Sequence, residues 1–221
     1  MRMAELSRRS GVPVATIKYY LREGLLPSGV AVSATRAEYG EAHLRRLRLI
    51  RVLVDVGEVP VAAIGKILSV VDDQSAGVHQ MLGAVQYELG PHPAAPPEGD
   101  PDWQAARREV DELIASLGWT IAPNAPARAL LALTLAALRR TGSAPPGPGL
   151  RAYAEAMAGL AAREVAGLGP GGPGGANGSR VALAESAVVG MVLHEHVIVA
   201  LRRLAQEDDS GRVFRLAAGS P

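Results

Sequence analysis

No cysteine occurs among the 221 residues, which excludes disulfides, thiolate metal sites and thiol-based redox sensing. Aromatic residues are scarce too, at 4% with a single Phe, so a core has to be filled by Ala, Leu and Val at helical spacing. An all-α fold is therefore expected. Charge of one sign is missing overall, with a formal net of +1, but its distribution is uneven. Residues 1–71 hold 11 Lys/Arg against 6 Asp/Glu, and the remainder of the chain holds 12 against 16. A basic head on an acidic body suits a head that meets a polyanion.

Residues 1–25 carry charges throughout and lack an uninterrupted apolar run, so no targeting segment is expected and the cytoplasm is the expected compartment. One stretch, "VALAESAVVGMVLHEHVIVAL" at 181–201, is long enough to span a bilayer. Glu185, His194, Glu195 and His196 interrupt it, and an acidic side chain at mid-membrane costs about 2.5–3.5 kcal/mol or more. Burial in a bundle or between two chains is expected instead, and no membrane partner.

Proline and glycine divide the chain. "GPHPAAPPEGDP" at 90–101 cannot continue a helix and reads as a linker; "GLGPGGPGGANGS" at 167–179 reads as a loop, and "DDSGRVFRLAAGSP" as a frayed tail. The expected organisation is a domain at 1–71, a short helix and linker at 72–101, an all-α domain at 102–209 and a flexible tail at 210–221. Within the first domain, helices are predicted at about 3–9, 13–23, 40–55 and 60–71, with 27–38 irregular. Leu44, Leu47, Ile50 and Val54 form the stripe of the third helix and Ile64, Leu68 and Val71 that of the fourth. Gly57 is expected to stop the third helix, and Pro60 to open the fourth.

The opening "MAELSRRSGVPVATIKYYLREGLLP" has a short helix, a turn at Gly11 and a second helix entered through Pro13, the pattern of a helix-turn-helix. Ile17, Tyr20 and Leu21 share its inner face. Val14, Ala15, Thr16, Lys18 and Tyr19 lie outward, where small residues permit close approach to a major groove. Thr16 can hydrogen-bond, and Lys18 can neutralise phosphate or reach a purine edge. Tyr20 is read mainly as core, with a hydroxyl that can still project.

The succession of helix-turn-helix, "YYLREGLLP", an irregular stretch and "EYGEAHLRRLRLIRVLVDVGEVPVAAIGKIL" resembles the DNA-binding domain of the MerR family of bacterial transcription regulators. The resemblance covers residues 1 to about 71. It implies that the helix begun at Pro13 is the recognition helix and that residues 27–38 form a wing. Thr35 and Arg36 would reach phosphate or minor groove, and Tyr39 would anchor the wing's return. The family commonly has Gly-Tyr-Arg before that aromatic, whereas here "ATRAEY" sets the arginine one place earlier. Of Arg45, Arg46, Arg48 and Arg51, one or two are expected at phosphates, Arg45 having Glu41 as an alternative i, i+4 partner.

The resemblance also implies a homodimer on double-stranded promoter DNA, working with RNA polymerase. The family's long dimerisation helix is poorly matched by "GVHQMLGAVQYEL" at 77–89, whose part in dimerisation is left open, so dimerisation is assigned to the C-terminal helices. Their order is similar to that of TetR-type regulatory domains, which implies a small-molecule effector. Trp119, Tyr153, Met157 and Met191, with Trp103, are candidate pocket residues, although as the only large fillers they suit a core equally well.

No enzyme is expected, since no Ser/His/Asp or paired-carboxylate constellation is evident. "HEH" at 194–196 lacks the i, i+4 spacing of a helical zinc pair, and "GPGGPGGANG" lacks the Gly-Lys-Ser/Thr ending of a phosphate loop, so neither metal nor cofactor is expected. The alternative function is an architectural, sequence-tolerant DNA binder without an effector.

Overall fold

The computed structural model describes residues 1–33, 36–73, 75–90, 93, 99–143, 149–168 and 180–218, without the side chains of 180 and 215–218. Most of the linker at 90–101, nearly all of the loop at 167–179 and Thr35 lie outside this set. Helices dominate the described residues, with one two-stranded sheet, so the chain is all-α. Its contacts divide it into two units, residues 1–76 with 180–221, and residues 77–179.

The first unit begins with α1 (Met3–Ser10), which ends at Gly11 in the left-handed region, φ 69°. The glycine amide donates to the Ser7 carbonyl at 2.9 Å, while Ser7 Oγ donates to the Val12 carbonyl at 2.6 Å. A side chain at position 11 would also meet Arg51 Nη1 at 2.8 Å. Both requirements select glycine. Pro13 caps α2 (Val14–Arg22), after which Leu25 and Leu26 are buried. Strands β1 (Val30–Ser33) and β2 (Arg36–Glu38) pair antiparallel, Val30 opposite Glu38, with an irregularity between Ala31 and Ser33.

Helix α3 (Glu41–Asp55) buries Leu44, Leu47, Leu49, Ile50 and Leu53. Leu53 rather than Val54 completes the stripe, because the face turned to its neighbours is wider than a single i, i+3/i+4 line. Helix α4 (Val61–Asp72) buries Ile64, Ile67, Leu68 and Val71. Between them the left-handed residue is Glu58, φ 51°, and not Gly57. Gly57 serves a different need: a Cβ there would collide with Val192 and lie 2.9 Å from the Leu53 carbonyl.

Val192 belongs to α9 (Arg180–Ala218), which packs on α3 and α4. Ala184, Ala187, Val188 and Val192 are buried at helical spacing, the small side chains permitting close approach. Two expectations change. The last helix joins the N-terminal unit instead of closing a separate domain at 102–209, and helix continues through the expected tail to Ala218. The second change has a local cause: Arg212 pairs with Asp208 and Asp209, and Ser210 Oγ donates to the Glu207 carbonyl, holding the turn around Gly211.

Near the root of α9, Glu185 lies 3.8 Å from Arg45 with its side chain 14% exposed. Arg46 is buried and pairs with Asp72, leaving its Nη1 without a hydrogen-bond partner. Burial raises the Glu185 carboxyl above its ordinary 4.5, with Asp72 adding to the rise, while Arg45 and Arg46 oppose it. A carboxyl with a raised folded value binds its proton more readily when folded, so it detracts from stability at neutral pH. That penalty is relieved as pH falls from the raised value towards 4.5. Relative to Glu185→Gln, the native chain is therefore expected to gain thermal stability on acidification through this window. Parallel melting curves for the two proteins between pH 7 and pH 4 would contradict the assignment.

The second unit contains α5 (Val78–Leu89), α6 (Pro101–Ser116), α7 (Pro126–Arg140) and α8 (Leu150–Gly167). Asp100 caps α6 by accepting from the amides of Asp102 and Trp103 at 3.0 and 3.2 Å, and it pairs with Arg140. Helices α6 and α7 pack on one another around Ala106, Val110, Ala132, Leu135 and Ala136.

Candidate DNA-binding interface

Helix α2 separates its residues by burial as a recognition helix requires. Ile17 is fully buried and Tyr20 is 7% exposed; Ala15, Lys18 and Tyr19 are exposed, and Val14 and Thr16 half-buried. The Tyr19 and Tyr20 rings lie 5.8 Å apart, tilted by 52°. Burial, followed by the Asp55 carboxylate and Tyr19, raises the Tyr20 phenol above its ordinary value, with Arg51 opposing. Tyr20 is thus a protonated packing residue joining α2 to the end of α3, and its side chain does not form part of the exposed face.

Tyr39 is likewise 7% exposed. Its amide donates to the Met1 carbonyl at 2.8 Å, and its ring meets His43 edge-on at 5.3 Å. His43 Nδ1 accepts from the Gly40 amide at 3.0 Å while Nε2 lies 3.4 Å from the Ser28 carbonyl, so one neutral tautomer, with its proton on Nε2, serves both. Gly29 lets the hairpin close, because a Cβ there would sit 2.7 Å from the Glu38 carbonyl and 2.9 Å from the Tyr39 ring. Together these contacts fix the base of the hairpin. Arg36, on β2, is exposed, and Thr35 lies outside the described residues.

The arginines separate by partner. Arg9 pairs with Glu41 at 2.7 Å, Arg51 with Asp55 at 3.0 Å, Arg46 with Asp72 and Arg45 with Glu185. Arg45 therefore faces α9 and not Glu41, and Arg46, expected beside the stripe, is buried within it. Lys18, Arg22, Arg36 and Arg48 are exposed and form no ion pair among the described residues. Arg48 is one of the four α3 arginines of which one or two are expected at phosphates, whereas Arg22 is a cation that the sequence does not single out. The carboxylate partners of Arg9, Arg45 and Arg46 lie on other elements, so it takes the tertiary structure to separate these committed cations from those left for phosphate.

The candidate pocket residues belong to both units. Trp119, Tyr153 and Met157 are exposed in the second unit, whereas Met191 is on α9 in the first. The last two helices, which the TetR-type likeness would pair in one interface, fall in different units.

A helix-turn-helix followed by a two-stranded hairpin and two further helices defines a winged helix-turn-helix DNA-binding domain. The profile of the MerR HTH family regulatory proteins matches residues 1–70. A solved structure, that of the candidate transcriptional regulator SCO5550 from Streptomyces coelicolor A3(2), is 43% identical, with 96% of this chain and 97% of that chain covered and a TM-score of 0.71. No curated protein matches the chain. The chain belongs to the MerR family of helix-turn-helix regulators and is a DNA-binding transcription regulator.

Proposed function

We propose that the protein is a cytoplasmic, non-enzymatic regulator that binds a pseudo-palindromic promoter site as a homodimer. Two α2 helices would occupy successive major grooves about 34 Å apart. The supporting observation is the two-sided α2: Ile17 and Tyr20 fasten it to the core while Ala15, Lys18 and Tyr19 face outward. Thr16 is assigned a base edge, Lys18 and Arg36 phosphates, and Val14 and Ala15 close groove contact. RNA polymerase is the proposed protein partner, and an organic effector acting through the second unit is part of the same reading.

Dimerisation is assigned to the outer part of α9. Beyond Val192 most of its large apolar side chains are exposed, among them Val197, Leu201, Leu204, Val213 and Phe214. Its charges come in blocks, Arg202-Arg203 and then Glu207-Asp208-Asp209. In a second copy laid antiparallel about Ala205, each basic block would face an acidic one and Val197 would face Val213. The same burial accounts for an apolar helix that is long enough to cross a bilayer.

Sedimentation and footprinting test both parts. A dimer is expected at micromolar concentration, reduced to monomer by Leu201→Glu with Leu204→Glu, together with a symmetric footprint on promoter DNA. A dimer indifferent to those substitutions would reject the α9 interface. Equal affinity for promoter and random duplex would instead favour an architectural binder, because a regulator discriminates by about a thousandfold or more.

A further inference from the structure

We propose that the half-open cleft between α6 and α7 binds small aromatic monocarboxylates. The inference rests on the effector-controlled reading above and supplies the site and ligand class that it leaves unspecified. Residues 103, 107, 110 and 111 share one face of α6, and 125, 128, 129 and 132 share the facing side of α7, by the 3.6-residue period. The cleft has a volume of about 190 Å³. It stays open because alanines at 125, 129 and 132 stand where larger side chains would fill it, while the Trp103 indole forms a flat wall. Asp100 holds that wall in place by capping the Trp103 amide at 3.2 Å and pairing with Arg140.

Charge selects the ligand. Arg128 is paired with Asp111, so these two cleft charges cancel. Arg107 is exposed and forms no ion pair among the described residues, which leaves one positive charge at the mouth. A cation would be repelled, and a phosphate dianion would find only one uncommitted guanidinium. A carboxylate matches that single guanidinium in charge and in its two-oxygen geometry. An aromatic ring can then lie against Trp103 and the Val110 and alanine side chains, and the volume suits one or two rings.

Calorimetry on the full-length chain with benzoate and naphthoate, against the corresponding aryl alcohols and inorganic phosphate, tests this. The protein has two tryptophans, so Trp119→Phe leaves Trp103 as the sole indole reporter. Saturable carboxylate binding with a change in Trp103 emission is expected, at least about tenfold tighter than for the alcohols or phosphate. Arg107→Gln should weaken it by about tenfold or more. Asp111→Asn, which releases Arg128, should leave it as tight or tighter, and Ala129→Leu, checked for native helicity, should abolish it.

Absence of saturable binding up to about 10 mM, equal affinity for the alcohols, or indifference to Arg107→Gln would each overturn the proposal. Ligand-free promoter affinity of the same preparation separates the two readings. If it is intact while carboxylates fail, only the cleft assignment is rejected; if promoter binding itself is absent, the regulator reading falls.

Discussion

Thr16→Ala, Lys18→Gln and Tyr19→Phe combined are expected to reduce promoter affinity to the level of random duplex, a loss of about a thousandfold or more. The Thr16 base-edge contact contributes about 1–3 kcal/mol, the Lys18 phosphate contact adds a sequence-independent share, and a dimer makes every contact twice. The fold should survive, because Lys18 and Tyr19 are exposed, Thr16 is half-buried and the anchoring Ile17 and Tyr20 are untouched. Anisotropy titrations against promoter and random duplexes at several salt concentrations measure the effect, with melting temperature as the control.

Salt dependence then separates the roles. Lys18→Gln alone should weaken both duplexes alike and lower the salt slope by about one per lysine removed, whereas Thr16→Ala should affect the promoter alone. Retention of promoter discrimination by the triple variant would reject α2 as the reading element, whatever else binds DNA.

The second large effect is expected from α9. Removing residues 180–221 takes Ala184, Ala187, Val188 and Val192 away from α3 and α4. A buried valine contributes about 1.5 kcal/mol or more, so with the two alanines the loss is about 4 kcal/mol or more. Domains of this kind have about 5–15 kcal/mol in all. Residues 1–179 should therefore melt well below the full chain or aggregate, despite retaining the entire helix-turn-helix.

A point substitution makes the same test without truncation. Val188→Asp puts an unpaired carboxylate at a site 1% exposed and should destabilise by about 3 kcal/mol or more. Val165→Asp, on an exposed face of α8, should change stability by less than about 0.5 kcal/mol. Denaturant unfolding followed by circular dichroism gives both values. Equal, small changes would mean that α9 does not support the DNA-binding unit.

Local rules carried much of the fold. Four helices of the first unit were legible from apolar spacing, Gly11 from the turn it has to make, Pro13 from its place at a helix start, and the inner face of α2 from Ile17 and Tyr20. These features depend on residues within a few positions of one another, and the chain's covalent geometry settles them. The same rules put Gly57 just past the end of α3, where it stands, without the reason that it has to be glycine, and they ended the last helix too early. Gly57 answers to Val192, 135 positions away, and the turn at Gly211 is held by ion pairs that composition alone does not weigh.

The amino-acid sequence by itself determined an all-helical chain, a helix-turn-helix at its head and the side chains that α2 turns outward, because helical periodicity and turn chemistry are short-range; the wing was implied only by the family resemblance. Tertiary structure alone decided that the last helix returns to the first unit, that Arg45 faces Glu185 while Arg48 stays uncommitted, and that α6 and α7 enclose a cleft beside Trp103. Each of these depends on which distant surfaces meet. Burial and charge pairing across such surfaces have no periodicity along the chain from which they could be read.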